Sequence, residues 1–213
     1  MPPTYTRPPD LVRGVICGGQ RALTSPVEKM EDDAALGERD VVEAGVTSND
    51  VVVGIAASGR TPYVIGVLRK AKDLGAATIA LACNRPSEIG ALADVEIAPL
   101  VGPEVVSGST RVKAGTAQKM ALNLLSTATM IRLGKTYGNL MADVRGSSST
   151  LHERARRIVQ QVTGASAHEA AAALEAANGA VKTALVMLLA QATADDARQW
   201  LARAAGFVRK ALQ

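Results

Sequence analysis

Two short stretches carry residue types that can do chemistry. In Ala56-Ala57-Ser58-Gly59-Arg60-Thr61, two hydroxyls, a permanent cation and a glycine follow the uncharged run Val51-Val52-Val53-Gly54-Ile55. Thr61 and Pro62 then suit the cap and first position of a helix, where the N–H that proline lacks is not needed. A buried strand, a turn of small residues and a helix start aim backbone N–H groups and hydroxyls at one point, which suits an anion such as a phosphate. The glycine spacing is neither that of a Walker loop nor that of a dinucleotide fingerprint. Any α/β protein can also own such a turn for structural reasons alone. The second stretch, Val101 to Lys113, sets one carboxylate, Glu104, beside the hydroxyls of Ser107, Ser109 and Thr110 and the cations Arg111 and Lys113. It reads either as a plain helix cap or as a polar loop facing a ligand.

The composition narrows what such sites can serve. Of 213 residues, 47% are hydrophobic but only 2% aromatic, so a sizeable core must be built from Val, Leu, Ile and Ala. The net charge of +4 is mild, with no Lys/Arg block and almost no ring to stack on bases. That argues against nucleic acid as a partner and suits a small anionic substrate. Cys17 and Cys83 each end an apolar run and read as buried thiols of a reduced, cytoplasmic protein. Two histidines build no familiar zinc site, so no metal is expected. No apolar run reaches membrane-spanning length, and Met1-Pro2-Pro3 does not open a signal peptide.

Strands alternating with helices must position the two loops. Four prolines in residues 1–10 suggest an extended lead-in, and Leu11–Cys17 reads as a strand closed by Gly18-Gly19. Residues 20–50 are polar and acidic. Strands are expected at 51–56, 77–83 and 95–100, and helices at 62–73, 88–92 and 114–133, with Gly75 as a C-cap. This order predicts an α/β fold with a doubly wound parallel sheet, whose ligands bind at the carboxyl ends of the strands. The turns 56–61, 84–87 and 101–110 then face one crevice. The 114–133 helix is apolar on more than one face, so a partner subunit is expected to bury one of them. Residues 1–150 form the sheet domain in this reading. Residues 151–213 form a small helical module: a helix over 151–162, then three over 167–176, 180–189 and 194–204, with Trp200 and Phe207 in its core.

Ala56-Ala57-Ser58-Gly59-Arg60-Thr61 resembles the Ser-x-Ser-Gly-x-Thr phosphate loop of sugar isomerase (SIS) domains, and Gly102-Pro103-Glu104 with Ser109-Thr110 resembles their glutamate-bearing loop. The fuller runs 54–66 and 101–119, with Gly138-Asn139-Leu140-Met141-Ala142-Asp143-Val144, are similar to the N-acetylmuramic acid 6-phosphate etherases. So is the C-terminal module, which resembles a small ubiquitin-associated-like bundle. The resemblance implies cleavage of the D-lactyl ether of N-acetylmuramic acid 6-phosphate to N-acetylglucosamine 6-phosphate and D-lactate, in cell-wall sugar recycling. It implies a cytoplasmic homodimer that needs no cofactor. The reaction is elimination across C2–C3 of the open-chain sugar, then addition of water.

The same resemblance assigns roles. Glu28-Lys29-Met30-Glu31-Asp32 matches the family's Glu-x-x-Glu-Asp segment and makes Glu31 the acid/base. Ser58, Gly59, Arg60 and Thr61 would hold the phosphate or adjacent sugar. Glu104, Ser107, Ser109 and Thr110 would hold sugar hydroxyls or the acetamido group. The family's second acid/base glutamate precedes a Cys-Pro-Pro-Thr segment, matched here by Met1-Pro2-Pro3-Thr4, so that glutamate and the first strand of the SIS sheet have no counterpart in these residues. The expected consequence is a gap in the sheet or re-pairing of its strands. Ser148 and Thr150 stand where the family has Asn and Lys. Two other readings remain open: a phosphosugar aldose–ketose isomerase with Glu104 as base, and a non-catalytic phosphosugar-binding or regulatory protein.

Overall fold

The structure is a computed structural model that describes residues 9–25, 29–144 and 149–213. The chain divides into two compact units, Gly14–Leu125 and the pair of segments Met1–Arg13 and Ser126–Gln213.

In the first unit three strands, β1 (Val51–Ile55), β2 (Ala77–Leu81) and β3 (Val95–Ile97), form a parallel sheet in the order β1-β2-β3. The register aligns Val51 with Ala77 and Ile79 with Val95. Parallel strands need crossovers, supplied by helix α2 (Pro62–Asp73) after β1 and α3 (Glu88–Leu92) after β2. Helix α1 (Ala34–Glu43) precedes the sheet and α4 (Lys113–Arg132) follows it. The alternation expected from the sequence is present, with the parallel α/β class. The strands are shorter than expected. Beyond β3, Pro99 has no N–H to continue a ladder. Gly75, at φ +80°, ends α2 at the position expected for a C-cap glycine.

The core of this unit lies between the sheet and the helices. Leu36, Tyr63, Val64, Ile65, Leu68, Ala80, Ala82 and Ile89 are buried together, with Met30 and Cys17 packed at the margin. Gly54 admits α2 closely: a Cβ there would sit 2.8 Å from Leu68 Cγ and 2.9 Å from Val64 Cγ1. Helices α1 and α2 cross at two glycines. A Cβ on Gly37 would lie 2.1 Å from the Tyr63 carbonyl oxygen, and one on Gly66 2.0 Å from that of Ala34.

The segment Leu11–Cys17 is not a strand. A 3-10 turn over Pro9–Leu11 leads into irregular backbone, and a second 3-10 turn covers Gly19–Leu23. Val12 and Val15 are 58% and 59% exposed. An unbroken apolar run is stable as a strand only when neighbours cover both faces and supply a ladder. Among the described residues no strand pairs with this segment, and β1 lies at an edge of the sheet with Val51 and Ile55 exposed. The expectation for residues 1–8 lies outside the described residues, as do Glu28, Ser147 and Ser148.

The second unit holds a two-stranded antiparallel sheet, β4 (Thr136–Tyr137) and β5 (Leu140–Met141), and helices α5 (Ser149–Thr163), α6 (Ala167–Ala176), α7 (Val181–Ala190), α8 (Ala194–Arg203) and α9 (Val208–Ala211). The hairpin has no counterpart among the elements expected from the sequence. Gly138, at φ +57°, makes its tight turn possible. The three short helices fall where the sequence places them. Ser166 and Glu169 form a reciprocal capping box at the start of α6, and Thr193 caps α8 through the Asp196 N–H. Val159, Ala170, Val181, Ala184, Leu185, Val186 and Ala197 form the core, with Trp200 packed against it. Two lysines lie near one carboxylate in this unit. Lys135 pairs with Asp143, and Lys182 Nζ lies 3.7 Å from Asp143 Oδ2 while donating to the Gly206 carbonyl at 2.9 Å.

Candidate functional site

The turn after β1 is held from below by backbone. Gly59 N–H donates to the Ala56 carbonyl at 3.0 Å, and the Gly59 carbonyl accepts from Ile89 N–H at 3.0 Å. Gly59 is buried at φ +72°, a conformation that costs other residues strain. Its missing side chain leaves room for Ser87, whose Cβ would be 2.4 Å from a Cβ on Gly59. Ser58 and Arg60 are exposed at the rim of the turn, and Thr61 is half-buried. Ser58 Oγ accepts from Arg60 N–H at 3.4 Å, a long bond that leaves the hydroxyl proton available.

Thr61 is the N-cap residue of α2 and Pro62 the first helical residue, as the sequence indicates. The Thr61 side chain, however, makes no capping hydrogen bond. This differs from the neighbouring helices. Ser87 Oγ caps α3, accepting from Gly90 N–H at 3.1 Å and donating to Glu96 Oε1 at 2.9 Å. Both Glu104 oxygens cap α4, accepting from Lys113 N–H and Ala114 N–H at 3.0 Å each. Among the described residues, α2 alone of the three helices that follow the strands begins without a side chain on its first N–H groups. The positive end of its dipole and the Ser58 and Thr61 hydroxyls thus meet at the turn.

Glu104 is therefore at least a helix cap, one of the two readings the sequence leaves open. Its carboxyl is held below the usual carboxylate range, first by the Ala114 N–H and then by that of Lys113, with the Lys113 ammonium adding to the effect. Lys113 Nζ donates to the Pro103 carbonyl at 3.0 Å. In the same loop Ser109 Oγ accepts from Arg111 Nε at 2.9 Å, and Ser107 and Thr110 are exposed.

The three strand-end loops meet at Cys83, which the sequence marks only as a buried thiol. Its N–H donates to the Ala57 carbonyl at 3.0 Å, and its Sγ lies 3.7 Å from the Ala114 carbonyl. Burial, and then the Glu104 charge, push the thiol up. Arg85, exposed on the same loop, pairs with Glu96 at 2.9 Å. The structure thus brings together the 58–61 turn, the 83–87 loop and the start of α4.

Glu31 belongs to a different part of the same unit. It is exposed, in a 3-10 turn over Met30–Asp32 that ends directly at Asp33, the cap of α1. Asp33 Oδ1 accepts from Leu36 N–H at 3.1 Å. Glu31 bears on Cys17, whose thiol is pushed up first by burial and then by the charges of Glu31, Asp40 and Asp33. Cys17 in turn bears on Tyr63, the second residue of α2. No hydrogen bond joins Glu31 directly to Ser58–Thr61 among the described residues. No cluster of metal-ligating side chains occurs among the described residues.

A parallel sheet whose strands alternate with helices defines the chain's first unit as an α/β domain. The SIS domain matches residues 23–128 of the chain. The chain is 51% identical to N-acetylmuramic acid 6-phosphate etherase of Geobacillus thermodenitrificans, over 100% of this chain and 72% of that relative. It is 52% identical to the etherase of Mycolicibacterium smegmatis, over 99% of this chain and 71% of the relative, and 51% identical to that of Brucella anthropi, over 99% and 69%. The chain belongs to the N-acetylmuramic acid 6-phosphate etherase family.

Proposed function

We propose that the chain cleaves the D-lactyl ether of N-acetylmuramic acid 6-phosphate, giving N-acetylglucosamine 6-phosphate and D-lactate in cell-wall sugar recycling. Identity of about half across the whole chain with curated etherases carries this reading. The chemistry sets clear demands. In the open-chain sugar the C2 proton is acidic because it is α to a carbonyl. A base removes it, the C3–O bond breaks, and the departing lactate oxygen takes a proton from an acid. Water then adds across C2–C3. One carboxylate can serve as base and acid in turn, and Glu31 is the residue we assign to that work.

The phosphate takes the uncapped start of α2, with Ser58, Gly59, Arg60 and Thr61 as its binding turn. Ser107, Ser109 and Thr110 supply hydroxyls to the sugar or its acetamido group. Each Glu104 oxygen accepts one backbone N–H and keeps a second lone pair for a sugar hydroxyl. Its depressed pKa and capping role make it a poor general base, which weighs against an isomerase built on Glu104. The enzyme acts as a homodimer in the cytoplasm, where a phosphorylated sugar is retained. The exposed apolar side chains Val112, Met120 and Leu124 on and beside α4 are the face a second copy would bury.

The test is product analysis in labelled water. Elimination and hydration leave the ether oxygen in lactate, put solvent oxygen on C3 and solvent deuterium on C2. Label absent from both C2 and C3, or isomerised sugar without lactate, would refute the reading.

A further inference from the structure

The sequence marks Glu31 and the Ser58–Thr61 turn as separate pieces, and something must hold them in register. The buried contact between α1 and α2 is the part of the fold able to do so. Tyr63 is 5% exposed, and its hydroxyl donates to Asp40 Oδ2 at 2.5 Å. Tyr63 follows Pro62 directly, so its backbone is the first turn of α2. Asp40 lies on α1, whose cap Asp33 closes the 3-10 turn that carries Glu31. The glycines Gly37 and Gly66 let the two helix backbones touch, as described above, so the helices cannot close further if the Tyr63–Asp40 bond is lost; they can only loosen or slide.

We infer that Tyr63 and Asp40 are positioning residues of the acid–base step: their hydrogen bond fixes α1, and with it Glu31, against the phosphate-binding start of α2. The inference rests on the assignment of Glu31 made above. Neither residue touches the substrate in this account. Burial first, and then the Asp40 carboxylate, raise the Tyr63 hydroxyl above its ordinary pKa, so it stays a donor throughout the physiological range. A buried donor and a charged acceptor form a strong, directional link, and losing one partner leaves the other unsatisfied.

Cys17 reports on this register independently of turnover, because Glu31, Asp33 and Asp40 all bear on its thiol. It lies in the tryptic peptide Gly14–Arg21, so its alkylation by iodoacetamide can be followed by mass spectrometry in the otherwise unaltered chain. Tyr63→Phe, which removes only the hydroxyl, should speed Cys17 alkylation several-fold. It should lower kcat for lactate release about tenfold, the scale of a small misplacement of a catalytic group, with KM within about twofold. Asp40→Asn keeps an oxygen to accept the bond and should leave kcat and KM near the parent values, while the loss of its charge by itself speeds Cys17 alkylation, so this variant is read by turnover alone; the urea midpoint of Tyr63→Phe shows that its chain is folded. An unchanged alkylation rate in Tyr63→Phe overturns the inference whatever the rate of turnover. Faster alkylation with unchanged kcat, or kcat and KM disturbed together, overturns the positioning role. If Glu31→Gln releases lactate at the parent rate while Tyr63→Phe still speeds alkylation, the role of Glu31 fails and the contact between the helices stands.

Discussion

Gly59→Ala is the substitution most sharply determined by the structure. Gly59 sits at φ +72°, where an L side chain costs roughly 1–2 kcal/mol. The new methyl would also stand 2.4 Å from Ser87 Cβ and 3.3 Å from Ala82 Cβ. Ala82 is fully buried, so the neighbours have little room to yield. Overpacking of this kind adds about 1–3 kcal/mol. Moving Ser87 would further strain its bonds to Gly90 N–H and Glu96. Gly45→Ala is the control. Gly45 has φ +68° in the same unit, and a methyl there would meet nothing within 4 Å, so it carries the backbone strain without the clash. Urea titrations of both variants should therefore differ by about 1–3 kcal/mol, with Gly59→Ala the less stable. Calorimetric titration should show sugar-phosphate affinity reduced in Gly59→Ala alone. If the two alanines destabilise equally, the close approach of the turn to Ser87 is not what fixes a glycine at 59.

Ser58→Ala should weaken sugar-phosphate binding by about 1–3 kcal/mol, the scale for one hydrogen bond to a charged group, read by the same titration. Glu31→Gln keeps the size and removes the titration, so lactate release should fall about 10²–10⁴-fold with binding little changed. Leu124→Glu on the exposed α4 face should convert a dimer to monomer in sedimentation at micromolar protein, and a parent that is already monomeric would refute the dimer. Asp94 is held at about 2, below the ordinary 3.8, by hydrogen bonds from the Thr78 hydroxyl and N–H and by Lys72. A depressed folded-state pKa contributes stability that is present above the unfolded value and lost as pH falls through the folded one. Stability should thus drop as pH falls from about 4 to about 2, and Asp94→Asn should flatten that part of the profile.

Much of the sheet domain is legible in the sequence because its signals are local. The β-branched runs at 51–55 and 77–81, Pro62 at a helix start and Gly75 at a helix end each fix structure within a few residues. Leu11–Cys17 misleads for the opposite reason. Its apolar run is a strand signal, but a strand exists only with a paired neighbour, and pairing is not written in the run itself. The β4–β5 hairpin escapes a sequence reading because two residues per strand show no period. Asp40, Tyr63 and Cys83 carry no local signal, since their significance lies in partners 23 to 31 residues away. For Glu104 the sequence offers a cap and a ligand contact, and only the paired N–H bonds to both oxygens decide that it is at least the first.

That decision bears on where the phosphate goes. The sequence marks three helix starts at the carboxyl edge of the sheet, and each has N–H groups and a positive dipole end to offer an anion. At α3 the Ser87 hydroxyl takes up a free N–H and is itself committed to Glu96. At α4 a full carboxylate already sits on the first N–H groups, so a second anion there would meet Glu104 at close range. At α2 the cap position holds Thr61 with its hydroxyl unbonded to the helix, Pro62 removes one N–H, and Ser58 and Arg60 stand beside it at the rim of the turn. Charge and hydrogen-bond satisfaction therefore weigh against two of the three starts and favour α2 as the phosphate site. In the function proposed above, the lactyl-bearing part of the sugar extends from that point toward Glu31, in the turn that precedes α1.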